Sequence, residues 1–296
     1  MTFTLVESAR PSVPVVHPPM TSRPRRLAIW LGRRGAAHII MIMLAALAVV
    51  PLIWLVVTAF AAPGTMVGGR LNTWSFSLDN FDYVFEAIPM LTMLGNTAAM
   101  ALSIAFAQLL VAILASYGFA VFEFRGRKVL YLLFVASWLV PFQVTMIPNY
   151  VTISQLGLLN TVAGIVVPNL CSAFAVLMLR QHMRAIPREL IDASTMDGRG
   201  SWATLWLVIV PNLIPALASL AVILVISAWN EYTWPLLIMQ QEATVVQVGI
   251  RAFMGAEGNN WGAVMAASGL ACLPVFLLYI FLQRQIVAGF VRSGLK

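Results

Sequence analysis

Residue types suited to chemistry gather in two stretches of this chain. The first, residues 180–215, reads RQHMRAIPRELIDASTMDGRGSWATLWLVIVPNLIP and holds four arginines and three acids between long apolar runs. It is the longest break of mixed charge in a chain that is 60% hydrophobic. The second, residues 227–236, reads SAWNEYTWPL and combines Trp229, Tyr232 and Trp234 with Asn230 and Glu231. Aromatic side chains at the end of a span form the belt at a membrane interface, and their faces also stack on the C–H faces of sugar rings. Asn230 and Glu231 could hydrogen-bond hydroxyls or fix a helix end. Catalysis has no comparable support. No Ser/His/Asp or Cys/His arrangement stands out, and the three histidines form no ligand cluster. The two cysteines, Cys171 and Cys272, lie inside apolar runs and read as small core residues, so no disulfide framework and no metal site is expected.

A short helix must hold the first stretch. Pro187 suits the first helical turn, where its missing N–H costs nothing. Glu189 falls in that turn and favours the positive end of the dipole. Ile186, Leu190, Ala193 and Asp197 follow 4-3-4 spacing and share one face. Gly198 and Gly200 stop the helix. The expectation is a helix over 187–198, about three turns and ~16 Å long, between two spans and outside the lipid.

The rest of the chain supplies those spans. With 296 residues, only 10% of them charged, it reads as an all-α polytopic membrane protein. Residues 1–34 form a disordered tail rich in proline and arginine, without the apolar core and cleavage site of a signal peptide. The domain proper is 35–296. Six spans are predicted: His38 to Phe60, Met93 to Val121, Val129 to Pro148, Thr161 to Met183, Val210 to about Ser227, and Gly262 to Leu282. Pro141 interrupts the third span and Pro168 lies in the fourth. A proline inside a span frees a backbone carbonyl that neighbouring helices must bury; Pro141 marks either a kink lining a pathway or a plain packing kink. Residues 149–160 read as a link without charge, and 61–92 and 229–260 as long outer loops.

Charge sets the orientation. The two termini and the two loops on their side carry 16 of the 18 basic residues, and the opposite loops carry only Arg70 and Arg251. The positive-inside rule puts both termini and the 180–204 loop in the cytoplasm. It also accounts for the net charge of +7 without nucleic acid. None of the six span cores holds Asp, Glu, Lys or Arg, which argues against a proton-coupled carrier. No G-x-x-x-x-G-K-[ST] loop occurs, so any ATP must be used by another chain.

At Asp192-Ala193-Ser194, Gly198 and Val208-Ile209-Val210-Pro211, the sequence resembles the EAA loop of ATP-binding-cassette importer permeases. The family pattern is EAA, three residues, Gly, nine residues, I-x-L-P, and every spacing matches. Asp192, Ser194, Val208 and Val210 are conservative departures. The resemblance implies that Pro187, Glu189, Leu190, Asp192, Ala193, Ser194, Asp197, Gly198 and Pro211 couple the permease to an ATPase subunit, the helix docking into a cleft there. SFSLDNFDYVFEAI before the second span and the Phe124-Arg125-Gly126-Arg127 turn are similar to segments of sugar permeases. Trp229-Asn230-Glu231-Tyr232-Thr233-Trp234-Pro235-Leu236 resembles the W-N-D/E-F/Y-x-W-P-L signature of the maltose type. WNEYTWPLLI and NNWGAVMAA (259–267) are at least as close to the glycerol-phosphate importer's second permease. Gln283, Arg284, Gly289 and Gly294 resemble the family's C-terminal tail, which reaches between the ATPase subunits; Phe290 and the shortened end depart from it.

The resemblance implies a prokaryotic plasma-membrane machine. Its other parts are a second homologous permease, two copies of a cytoplasmic ATPase that use ATP and Mg, and an extracytoplasmic solute-binding protein. This chain would bind no cofactor and no metal, and would touch lipid but no nucleic acid. Three functions remain open: import of a sugar or polyol, import of glycerol 3-phosphate or its diesters, and ATP-independent facilitation or secondary transport. Trp229, Asn230, Glu231, Tyr232 and Trp234 are the candidates for a pathway or gate.

Overall fold

The computed structural model describes residues 23–63, 65–67, 70–71, 75–239, 245–255 and 258–294. It falls into two compact units, residues 1–53 and 54–296. Helix α1 (Arg23–Ala59) starts inside the stretch read as a tail, and residues 1–22 lie outside the described part. In the first unit, residues 37–53 of α1 are exposed along their whole length, as suits side chains meant for a medium as apolar as themselves.

In the second unit, two minimal hairpins, β1 (Met66–Val67) with β2 (Arg70–Leu71) and β3 (Met254–Gly255) with β4 (Gly258–Asn259), are the strand pairs among the described residues. The other described residues there are helix, turn and irregular chain, with a single bridge between Ala61 and Phe76. The stretch 61–92, read as a loop, contains α2 (Asp79–Ala87). Asn80 on α2 is buried, and its carboxamide donates to the Ala59 and Ala61 carbonyls at 3.0 and 2.7 Å, so it satisfies the open end of the first span.

Helix α3 (Met90–Ala120) is the axis of the second unit. Its 31 residues reach about 46 Å, more than the ~30 Å hydrocarbon layer requires. Small residues along it, Ala105, Ala112 and Ser116, let neighbours approach closely. Ser116 Oγ donates to the Val176 carbonyl at 2.9 Å across that contact.

The third and fourth spans are both broken. Helix α4 (Arg127–Trp138) and α5 (Phe142–Gln155) meet at 93°, and α6 (Val162–Val166), extended by a 3₁₀ turn at Val167–Asn169, meets α7 (Ala173–Arg184) at 48°. Pro141 lacks an N–H and crowds the residue before it, which bars continuation of α4; it stands as the N-cap of α5 with ψ extended at 139°. The third span thus does not end at Pro148: α5 carries that proline inside it and runs on to Gln155, taking up half of the predicted link. At the second break, Gln108 on α3 donates to the Asn169 carbonyl at 2.8 Å, and Ser172 Oγ caps α7 by accepting from the Ala175 N–H at 3.2 Å. Polar side chains satisfy what the breaks release.

Helix α8 (Arg188–Met196) follows, then α9 (Ser201–Thr204), a π turn at Leu205–Ile209, and α10 (Val210–Trp229). The fifth span therefore begins at Ser201, nine residues before the predicted start. The π turn absorbs Pro211: the Val210 N–H reaches back five residues to Leu205, and the Asn212 carboxamide donates to the Val208 carbonyl at 2.7 Å. The outer loop 229–260 contains α11 (Thr233–Ile238), α12 (Val246–Gly249) and a 3₁₀ turn at Ile250–Phe253. Helix α13 (Trp261–Gly294) closes the chain. Among the described residues four helices are long and apolar enough to cross a membrane alone, and six crossings result when each bent pair is one span.

Candidate functional site: the capped helix and the aromatic knot

Helix α8 is a nine-residue element with both ends fixed by local chemistry. Pro187 is its N-cap rather than a member of its first turn, at φ −56° and ψ 134°. Glu189 lies in the first turn, as its charge favours. At the other end Gly198 takes φ +73°, a left-handed conformation open to glycine and strained for other residues. Its N–H donates to the Thr195 carbonyl at 3.0 Å, and the Arg199 N–H donates to the Ser194 carbonyl at 3.1 Å. This is the Schellman pattern that satisfies the last carbonyls of a helix. Gly200 does not stop α8; at φ −71° and ψ 164° it is the N-cap of α9.

The two faces of α8 differ. Ile191 packs on the core cluster that includes Leu179, Met183 and Leu205. Ser194, placed by sequence among the ATPase-coupling residues, is buried, and its Oγ lies 2.9 Å from Thr204 Oγ1. It fastens α8 to the start of the fifth span. Glu189, Leu190, Asp192, Ala193 and Asp197 are exposed, and Leu190, Ala193 and Met196 line up at a spacing of three. Met196, missed in the sequence, is 89% exposed, the most exposed large apolar side chain of the described chain. Its signal was its place one turn beyond Ala193.

The surroundings of α8 are pinned as well. Tyr117 Oη donates to the Ser201 carbonyl at 2.9 Å. Arg180 stacks 3.9 Å above the Tyr131 ring and donates to the Phe119 carbonyl at 3.3 Å, joining α7, α4 and α3. The Arg188–Glu123 pair at 3.8 Å is exposed on both sides and adds little. Gly126 before α4 takes φ +88° in the basic turn. Pro211 is exposed just beyond the π turn. Gln283 is exposed near the C-terminal end of α13. Arg284, Gly289 and Gly294 continue that helix, and side chains there lie outside the described residues.

The second stretch is a knot rather than a belt. Trp229 ends α10 and is buried. Trp234, 1% exposed, donates its indole N–H to the Gly164 carbonyl at 3.2 Å and meets the Phe142 ring edge-on at 5.8 Å. It therefore touches both broken spans, Phe142 opening α5 and Gly164 lying in α6. A Cβ at Gly164 would come within 2.3 Å of the Leu158 carbonyl oxygen, so only glycine fits against that backbone. Glu231 Oε1 accepts from the Thr233 and Trp234 N–H groups at 3.1 and 3.2 Å and caps α11. Asn230 is exposed and donates back to the Ile226 carbonyl at 2.8 Å. Tyr232 Oη accepts from Arg251 at 3.1 Å.

Two polar residues that the sequence did not single out hold this region. The Val246 N–H donates to Thr97 Oγ1 at 2.9 Å, which seats α12 on α3. Gln247 donates its side-chain N–H to the Trp229 carbonyl. The run VVQV around Gln247 carries no motif. Among the described residues no group of three or more His, Cys, Asp or Glu is placed to hold a metal.

With this geometry in hand, residues 108–292 match the family described as the binding-protein-dependent transport system inner membrane component. The chain is similar to the arabinooligosaccharides transport system permease protein AraQ of Halalkalibacterium halodurans, 29% identical over 90% of this chain and 96% of that protein. It is similar to the lactose transport system permease protein LacG of Rhizobium radiobacter, 32% identical over 83% of this chain and 91% of that one. To the sn-glycerol-3-phosphate transport system permease protein UgpE of Yersinia pestis it is 31% identical over 88% of this chain and 98% of the relative. Its fold matches a chain of a bacterial ABC transporter involved in the import of the acidic polysaccharide alginate. The TM-score is 0.74 at 22% identity, covering 90% of this chain and 99% of the other.

Proposed function

This chain belongs to the family of binding-protein-dependent transport system inner membrane components and is a multi-pass transport permease, and we propose that it is one of two homologous permeases in an ATP-driven importer of a neutral sugar or polyol. Two cytoplasmic ATPase subunits, using ATP and Mg, and an external solute-binding protein complete the assembly. The observation that carries this reading is α8. It is a short helix that starts at Pro187, is closed by the Gly198 turn and fastened to the fifth span through Ser194 and Thr204, and turns Leu190, Ala193 and Met196 outward. Such a face suits a cleft on a partner, and such fastening passes a push on the helix to α10 as a rigid-body movement. The basic residues around it, Arg125, Arg127, Lys128, Arg184 and Arg188, support a cytoplasmic position for that end by the positive-inside rule.

Uptake into vesicles loaded with ATP or with ADP tests the reading, using the complete complex and the solute-loaded binding protein. Uptake with ATP alone is expected; equal uptake with ADP means a facilitator or secondary carrier. A second reading, import of glycerol 3-phosphate, draws support from the UgpE likeness. Against it stands the absence of Lys, Arg and His among the buried side chains of the described residues, since a dianion crossing a low-dielectric path needs compensating donors.

A further inference from the structure

Helices α10, α12 and α13, with the 3₁₀ turn after α12, line an open-sided cavity of about 490 Å³. That lies within the roughly 300–1,000 Å³ range of small-molecule sites. Asn230, Gln247, Ser268 and Tyr279 contribute polar groups, and Trp229 and Phe276 contribute aromatic wall. No lining residue is an acid, a lysine, an arginine or a histidine. Arg251, next to the lining residue Ile250, gives a guanidinium hydrogen bond to Tyr232 instead. Gln247 is the distinctive member. Its N–H is used on the Trp229 carbonyl, while its side-chain oxygen is buried without a partner in the protein. Native proteins leave few buried acceptors in that condition, because the lost hydration is not replaced. The backbone beneath is fixed, since Val246 is tied to Thr97.

We propose, building on the importer reading, that this cavity is a subsite for a neutral, hydroxyl-bearing solute on its way through the permease. The Gln247 side-chain oxygen accepts a hydrogen bond from a solute hydroxyl after a small turn of its carboxamide, Tyr279 and Ser268 exchange hydrogen bonds with neighbouring hydroxyls, and Trp229 and Phe276 cover the C–H faces. An anion finds no counter-charge there.

Cys272 lines the cavity and is exposed, which makes it a native reporter. The complete complex, with Cys171→Ala in this chain, is treated in membranes with N-ethylmaleimide, and alkylation at Cys272 is followed by mass spectrometry. The probes are neutral saccharides of one to four rings, with glycerol 3-phosphate as the anionic control. At least one saccharide is expected to slow alkylation severalfold, and glycerol 3-phosphate is expected to leave it unchanged. Loss of one hydrogen bond in Gln247→Leu should raise the half-protecting concentration about tenfold. Tyr279→Phe, which removes a single hydroxyl, should raise it severalfold and guards against a folding defect in the first variant. The proposal is overturned by protection from no saccharide, by protection from glycerol 3-phosphate, by wild-type protection in both variants, or by a Cys272 that never reacts. ATP-driven uptake in the same membranes separates the two readings. Uptake without protection removes the subsite and leaves the importer; no ATP-dependent uptake removes the importer reading first.

Discussion

Trp234 shows how much one side chain can hold. Its indole bridges α11 to Gly164 and to the edge of Phe142, and it is almost wholly enclosed. Trp234→Phe gives up one hydrogen bond, about 1 kcal/mol, whereas Trp234→Ala leaves a cavity worth ~3–5 kcal/mol. Thermal unfolding in detergent should rank the alanine variant well below the phenylalanine one. If Trp234→Ala abolished uptake with unchanged stability, the side chain would belong to the pathway rather than to the scaffold. Asn80 and Gly262 form a second tight point: a Cβ at Gly262 would sit 2.4 Å from Asn80 Oδ1. Gly262→Ala should therefore displace the carboxamide and cost about 1–3 kcal/mol by stranding the Ala59 and Ala61 carbonyls. Combined with Asn80→Ala, it should cost less than the two single changes added together; strict additivity would show that Asn80 stays in place. Arg251 is exposed and donates a hydrogen bond to Tyr232, so Arg251→Ala should leave uptake within about twofold of wild type. Abolished uptake, with competition by glycerol 3-phosphate, would replace the neutral-solute reading.

At the scale of elements, the sequence was most legible where length and apolarity decide alone. The first, second and sixth spans were placed within three residues at their outer ends because about 20 apolar residues suffice to define a crossing. Pro141 announced an interruption of the third span, whereas Pro168 was read only as lying in the fourth, and neither the 93° nor the 48° bend followed from them. A proline removes a donor and bars the preceding turn, while the neighbours set the angle. The fifth span was started too late for a related reason. Pro211 reads as a boundary, but the π turn and the Asn212 carboxamide carry the helix through it. Asn212→Leu should therefore weaken the Ser201–Trp229 span: hydrogen exchange at Ile209 and Val210 is expected to rise, and unchanged protection would mean the π turn stands without that bond. In the candidate site, the expected 187–198 helix came within two residues of the observed Arg188–Met196, since the proline before it and the Gly198 turn after it are local signals. Burial of Ser194 and Trp234 was not, because their partners stand 10 and 70 residues away.

For the whole molecule, α8 and the 254–255 strand are expected on opposite sides of the membrane. Cysteines substituted for the exposed Met196 and Met254, in a chain with Cys171 and Cys272 changed to alanine, test this with an impermeant maleimide. Labelling of position 254 in intact cells and of position 196 only in inverted vesicles is expected; the reverse pattern would remove the ATPase contact. The central claim is that α8 couples this permease to its ATPase partner, and Gly198 is where it can be struck most cleanly. A Cβ there meets nothing within 4 Å, so a substitution acts through the φ of +73° and through whatever docks outside. Left-handed backbone costs a residue with Cβ about 1–2 kcal/mol, and an aspartate adds an unpaired charge at the docking face. The deciding measurement is ATP hydrolysis by the purified Gly198→Asp complex when solute-loaded binding protein is added. Normal membrane insertion with the stimulation lost is expected; stimulation at the wild-type level would contradict the coupling role of α8.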